Sequence, residues 1–321
     1  MNISNIQKSY QLVGFLIILF TFDIAKTYAM SKDVTGPSSK QTSFEVFRYQ
    51  LVIDKAFQSD AFQHQYNTPE ELKAAKNDIF KSIITENNFS FRSGNSDIAS
   101  KLIYQKDDMF YFKVGVKRNT RRYRKDFTEE ILDTYPNIIV AINNNPHVQK
   151  IAIQTNTSAF QKTSIVANFI KSTVQKFLKS YNISFAVEAT FDSQQFWNII
   201  REYPKQVKQV TFNLISPNMT NLTDSLELDL RSLHSDTNTQ KTKLELNAEK
   251  DSYLTLDEKS KLVNSIVDYS AKGGGDISVK VETIRKKLHT AQSVKDFNVD
   301  ELLLKGDDWE AIDKAFRNIM V

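Results

Sequence analysis

Cysteine is absent from this chain of 321 residues. Its absence excludes disulfide bonds, thiolate zinc sites, iron–sulfur clusters and a cysteine nucleophile. Glycine and proline are sparse, at 8 and 6 residues, which argues against a loop-dominated chain and against a stiff linker. No apolar run reaches the roughly 20 residues that a membrane-spanning helix needs. The remaining composition, 40% hydrophobic and 25% charged, is typical of a soluble globular protein.

The most apolar stretch of the chain lies close to its start, at residues 12–22. Its length suits the core of a signal peptide, with Thr27-Tyr28-Ala29 as the cleavage site. Two alternatives remain open: residues 10–28 are retained and contact a membrane, or translation begins at Met30. The start at Met30 is favoured, because the Ser-Lys-Asp that follows it is typical of a cytosolic N-terminus. We therefore expect a cytoplasmic protein, with a membrane-anchored or exported protein as the alternative.

The N-terminal part of the folded chain combines strands with one well-marked helix. A β-rich run from Phe44 to Ile53 predicts a strand, and Phe89 and Phe91 indicate a short one. Thr68-Pro69-Glu70-Glu71 predicts a helix start, because Thr68 can cap it and Pro69 fits its first position. Residues 102–116, with a turn at Lys106-Asp107-Asp108, predict a hairpin.

The C-terminal part is predicted to repeat a strand–helix unit at a spacing of roughly 30 residues. A hairpin around Asn143-Asn144-Asn145-Pro146 comes first, followed by strands and helices that alternate to the end of the chain. Thr255-Leu256-Asp257-Glu258 is interpreted as a capping box that opens a helix, and residues 308–320 as the last helix. The class is therefore α+β, with mixed sheets covered by helices. We predict a leader and polar segment at 1–42, an N-terminal α+β domain at 43–125 and a C-terminal α+β domain at 126–321.

One basic run separates the two predicted domains. Six of the nine residues from Lys117 to Lys125 are basic and none is acidic, while the whole chain has a net charge of +4. The rest of the chain thus sums to −2, so the positive charge is local. We interpret the run as a flexible arm or loop that binds the phosphate backbone of DNA or RNA, and Tyr123 as a ring that can stack on a base. The alternative is an inert, solvated loop. The candidate nucleic-acid-binding residues are Lys117, Arg118, Arg121, Arg122, Tyr123, Arg124 and Lys125.

No other sequence feature predicts a site. The chain lacks phosphate-binding, dinucleotide-binding and serine-hydrolase motifs, so no catalytic residue and no cofactor is predicted. Gly273-Gly274-Gly275 follows a helix and precedes a strand, the reverse of the order in nucleotide-binding loops, and is interpreted as a helix cap with a turn. No two histidines have the spacing of a helical metal site, so no metal is predicted. We expect surface positions for His64, His147, His234 and His289.

The chain from about Asn137 onward resembles an uncharacterised bacterial domain family found among phage-defence and abortive-infection genes. The resemblance involves the hairpin 138–153, the helix 160–181 and the segment 207–218, which ends in Pro217-Asn218. It implies a cytoplasmic protein that meets foreign nucleic acid or a phage protein, and it carries no catalytic residues.

Together these observations predict a non-enzymatic protein that binds or senses nucleic acid in a bacterial anti-phage defence system. One alternative is a protein-interaction or oligomerisation module that docks a defence partner or a second copy of itself. The other is a cryptic metal-dependent nuclease built from scattered carboxylates.

Overall fold

A long strand, β1 (Gln41–Ile53), lies at the centre of the fold. The structure is a computed structural model that describes residues 40–54, 66, 68–86, 92–93, 96–216 and 230–320. Helices cover open sheets of paired strands, so the predicted α+β class is confirmed.

The strands and helices alternate irregularly along the chain. After β1, the strands are β2 (Arg92–Ser93), β3 (Ser96–Lys106), β4 (Met109–Val116), β5 (Arg118–Tyr123), β6 (Glu129–Thr134), β7 (Asn137–Asn143), β8 (Lys150–Gln154), β9 (Ile183–Ala189), β10 (Val207–Ile215), β11 (Lys241–Asn247), β12 (Gly275–Val281), β13 (Leu288–His289) and β14 (Asp296–Asp300). The α-helices are α1 (Pro69–Glu86), α2 (Thr163–Leu178), α3 (Ser193–Glu202), α4 (Leu230–Thr237), α5 (Lys261–Tyr269), α6 (Glu301–Lys305) and α7 (Trp309–Ile319).

The large sheet has the strand order β14-β1-β8-β7-β4-β3-β2. Strand β1 pairs with β8 along one edge. Along its other edge, the first part of β1 pairs with β14 and the second part pairs with β9. Side chains of α1 and α2 pack on one face of the sheet, and those of α7 pack on the opposite face. The large sheet is therefore buried on both sides.

The small sheet has the order β11-β10-β12-β13 and its own apolar core. Phe196 and Trp197 of α3 and Ile266 and Val267 of α5 pack there against Phe212 of β10. The prediction that Phe196, Trp197 and Phe212 are core aromatics is confirmed, since all three are buried.

The glycine triplet joins the small sheet to the large one. Gly273 has a φ of +81°, and a Cβ there would lie 2.4 Å from the Cβ of Arg48 on β1. A Cβ on Gly275 would lie 2.1 Å from the carbonyl oxygen of Asn213 on β10. The predicted helix cap with a turn is confirmed, and close packing against Arg48 and Asn213 adds a second reason for glycine.

Most of the predicted elements are present, with three corrections. Every strand pairing in the described part of the chain is antiparallel, so the sheets are not mixed. Helix α5 is capped by Ser260, whose hydroxyl accepts from the amide of Val263, and not by a box starting at Thr255. The basic run is not a loop: its central part is strand β5. Thr68 does cap α1, accepting from the amide of Glu71 at 3.2 Å.

The predicted domain boundary at residue 125/126 falls in the turn between β5 and β6. Strands from both sides of it, such as β4 and β7, pair in the large sheet. The division into domains remains a prediction.

Several predictions fall outside the described residues: the leader at 12–22, the short strand at Phe89 and Phe91, His64, and Pro217-Asn218. Within the described ranges, no helix is both long and apolar enough to cross a membrane.

We expect Gly273→Ala to lower the free energy of unfolding by about 2–4 kcal/mol, because a Cβ would combine a left-handed backbone with overlap against Arg48. Gly115→Ala is the matched control, since its Cβ would meet Asn137 at an ordinary 3.5 Å. Urea unfolding of both variants measures the difference, and equal stabilities would contradict the packing argument.

A second prediction concerns Lys76 of α1, which is buried and donates to the carbonyl oxygen of Leu51 on β1. Burial, and secondarily the charge of Lys73, lowers the pKa of Lys76 to about 8. The folded state loses this proton near pH 8, whereas the unfolded chain keeps it to about pH 10.4. Since the unfolded state then binds more protons, Lys76 makes the protein more stable as pH rises through that window.

We therefore expect Lys76→Met to raise the free energy of unfolding at pH 7 by about 2 kcal/mol. The variant should also lack the increase in stability that the wild type shows between pH 8 and 10. Guanidinium unfolding at a series of pH values measures both effects. Lys81→Met, on the same helix and only partly buried, is the control that should keep the wild-type pH dependence.

Candidate nucleic-acid interface

The predicted basic run lies in a two-stranded ribbon that continues β4 and β7 beyond the large sheet. Gly115 pairs with Asn137 in the sheet, and Arg118 pairs with Thr134 in the ribbon, so the register is unchanged across the break. In the described structure, β5 and β6 pair only with each other. We call residues 117–135 the ribbon arm.

The arm leaves the sheet because β5 carries polar side chains at five of its six positions and so has little apolar surface to bury. Strand β4 buries seven of its eight residues, whereas all six residues of β5 are exposed. At six residues per strand, the arm is about 20 Å long. Its base is fixed by the amide of Val116, which donates to the carbonyl of Pro136, and by the guanidinium of Arg118, which donates to the carbonyl of Ala159 at 2.8 Å.

Carboxylates on β6 neutralise half of the predicted cations. Lys117 lies 2.5 Å from Asp133, Arg121 lies 3.2 Å from Glu129, and Arg124 makes a two-pronged pair with Glu130 at 3.0 and 3.1 Å. The hydrogen bond and the charge of Asp133 raise the pKa of Lys117. With six basic and four acidic residues, the arm has a net charge of +2.

Two predicted cations, Arg122 and Lys125, form no ion pair with any described residue. Tyr123 lies between them in sequence, with 66% of its surface exposed. Within the described structure, the cations that form no ion pair therefore include two at the distal end of the arm, Arg122 and Lys125.

The turn at the tip presents an aromatic side chain that the sequence analysis missed. The amide of Phe127 donates to the carbonyl of Arg124, and the amide of Arg124 donates to the carbonyl of Thr128. Phe127 takes the left-handed position of this turn, with a φ of 62°, and 93% of its surface is exposed. Glycine or asparagine usually occupies that position, so Phe127 is both strained and unburied.

A further apolar group on the arm, Ile131, was also missed. Ile131 lies directly opposite Arg121, on the same face of the ribbon as Tyr123, and is 63% exposed. The sequence does contain a signal for the ion pairs, because Glu129 and Glu130 follow the basic run closely. The register places them opposite Tyr123 and Arg122, so Arg121 and Arg124 reach them diagonally across the ribbon. Which residues pair is visible only once the register is known.

The other candidate groups do not come together in a site. His289 contacts Asp276 at 3.0 Å, the ring of His234 contacts the carbonyl of Thr239 at 2.9 Å, and His147 is exposed. Asp107-Asp108 forms a hairpin turn as predicted, and Asp308 caps α7. In the described ranges, no three histidine or carboxylate side chains cluster in a way that could hold a metal ion.

The fold and the arm define an α+β protein of open antiparallel sheets with an exposed β-ribbon. No protein-family model matches the chain, and no curated protein and no solved structure is significantly similar to it. The resemblance to a phage-defence family therefore stays a prediction.

We expect Phe127→Gly to stabilise the protein slightly, by up to about 1 kcal/mol, because glycine adopts the left-handed conformation without strain. Phe127→Ala is the matched control, since it removes the same exposed ring and keeps the Cβ, and its stability should equal that of the wild type. Thermal unfolding of the three proteins measures the difference. A clear loss of stability in either variant would show that the ring packs on the protein.

Proposed function

We propose that the chain is a non-enzymatic component of a bacterial anti-phage defence system and that it binds single-stranded nucleic acid through the ribbon arm. The observation that carries the proposal is the distal end of the arm, where Arg122 and Lys125 accompany the exposed rings of Tyr123 and Phe127. The defence context rests on the family resemblance of the chain from about residue 137 onward.

The balance of charge and aromatic surface favours a single strand over a duplex. Binding to duplex phosphates needs many cations, and three of the six in the run face carboxylates. Base stacking on an aromatic ring contributes about 1–3 kcal/mol per base, and it requires base faces that a single strand exposes. Two exposed rings and two unpaired cations fit this mode of binding.

Fluorescence anisotropy with labelled single-stranded DNA and RNA of about 20 nucleotides, and with the matching duplex, tests the proposal. Binding through Arg122 and Lys125 predicts that log affinity falls with log salt at a slope of about −1.4, against about −4 if all six cations contacted phosphates. We expect Arg122→Gln combined with Lys125→Gln to bring the slope close to zero.

The aromatic part of the proposal has its own variants. We expect Phe127→Gly and Tyr123→Ser each to weaken binding at least fivefold while leaving the salt slope unchanged. Lys259→Gln combined with Lys261→Gln removes two exposed lysines at the start of α5 and is the matched charge control. Tighter binding of the duplex, or wild-type affinity in the arm variants, would refute the proposal.

A second candidate function is docking of a partner protein or of another copy of the chain. The specific observation is the apolar surface of the arm, formed by Tyr123, Phe127, Ile131 and Tyr135, all of which are exposed. Each strand of the ribbon also has one edge that pairs with no described strand, and such edges can add a strand from a partner. Light scattering distinguishes the two functions: salt-insensitive self-association that Ile131→Lys abolishes would favour docking.

A further inference from the structure

A cavity of about 810 Å³ lies between the large and small sheets, and no residue of the ribbon arm lines it. Its wall is formed by β1, the start of β8, the start of α3, the end of α5 with the glycine segment, and the residues that lead into β14. Ligand pockets in proteins measure about 300–1,000 Å³, so a molecule of nucleotide size fits this one.

Four cations line the cavity, and two of them are held side by side. Arg48 on β1 and Lys150 on β8 are directly opposite each other in the strand pairing. Lys272 and Lys295 lie in the same wall. Like charges at directly opposite positions of a sheet destabilise it, because their Cβ atoms are only about 5 Å apart.

Burial lowers the pKa of two of these cations, and neighbouring charges contribute for Lys150. Burial, followed by the charges of Lys295 and Arg48, lowers the pKa of Lys150. Burial lowers the pKa of Arg48 to about 10, and only 5% of its surface is exposed. The strand pairing places the positive charges of Arg48 and Lys150 side by side, with Glu188 of β9 opposite Arg48 on its other edge.

Three carboxylates also line the cavity, and two of them are engaged locally. Asp192 caps α3 and accepts from the amide of Gln194 at 3.0 Å, while Asp296 accepts from the hydroxyl of Ser43 at 3.0 Å. Asp268 is exposed on α5. None of the three lies within salt-bridge distance of Lys272 or Lys295.

Neutral hydrogen-bond donors complete the wall. Ser193 and Gln195 lie in the first turn of α3, a helix of ten residues, and their side chains make no hydrogen bond with a described residue. The amides at a helix start also favour an anion, and here they add to the cluster of cations.

We propose that this cavity binds a small phosphate-bearing molecule, with the phosphate held by Arg48, Lys150 and Lys295 and by the donors at the start of α3. The proposal is independent of nucleic-acid binding by the ribbon arm. Removing one of the cations should therefore weaken the response to ligand.

The test is thermal unfolding of the full chain with inorganic phosphate, pyrophosphate or ATP, in EDTA and at an ionic strength matched with potassium chloride. We expect a rise of a few degrees with at least one phosphate compound and none with adenosine or acetate. If only inorganic phosphate raises the unfolding temperature, the ligand is a free phosphate ion. If ATP raises it further than inorganic phosphate does, the ligand is a nucleotide.

Lys150→Gln should lose at least tenfold in affinity for the active compound. Lys295→Gln, at a more exposed position, should show the same loss of affinity. Lys113→Gln, an exposed lysine on β4 outside the cavity, is the control and should behave as the wild type. A wild-type response in Lys150→Gln and Lys295→Gln, no response of the wild type, or an equal response to acetate would overturn the proposal.

Discussion

Strand β1 imposes the constraint on which the rest of the structure depends. Its first half pairs with β14, its second half with β9, and its middle with β8 on the opposite edge. Because most of its side chains are buried as well, the polar ones must find partners inside the protein. Arg48 donates to the carbonyl of Lys272 and Gln50 to that of Gly273. These bonds fix the glycine segment, and with it the small sheet, against the large sheet.

A second buried polar group ties the other elements to β1. The hydroxyl of Tyr49 donates to the side chain of Asn144 at 2.7 Å, and Asn77 of α1 exchanges hydrogen bonds with Asn144. Burial raises the pKa of Tyr49, so the ring stays a neutral donor. The turn between β7 and β8 is thus held against both β1 and α1, in a network whose members are all satisfied by one another.

The ribbon arm contrasts with β1, because almost none of its side chains are buried. Two strands alone are marginally stable in water, and the arm persists because it continues a buried pair of strands in the same register. Its cations differ in their contacts: Lys117, Arg121 and Arg124 form ion pairs across the ribbon, while Arg122 and Lys125 form none with a described residue. Because the arm also contains four acidic residues, its net charge is only +2 although the run has six basic residues.

The sequence by itself determined the elements whose signals are local. Apolar runs marked β4, β7 and β10, alternating apolar residues marked β12, and Thr68 with Pro69 marked the start of α1, because these patterns act within a few residues. The α+β class followed from the order of these elements. The dense basic run from Lys117 to Lys125 is also visible without any fold, and its role as a site stays a prediction.

Only the tertiary structure decided which residues meet. The antiparallel pairing, the ion pairs of Arg121 and Arg124, and the exposure of Phe127 all depend on the register of β5 against β6, which no local pattern encodes. In the same way, Arg48 and Lys150 are about a hundred residues apart in the chain and become neighbours through strand pairing. Pairing energies come from contacts between distant segments, and that is the physical reason why the basic run was found in the sequence whereas its charge balance and the cavity were not.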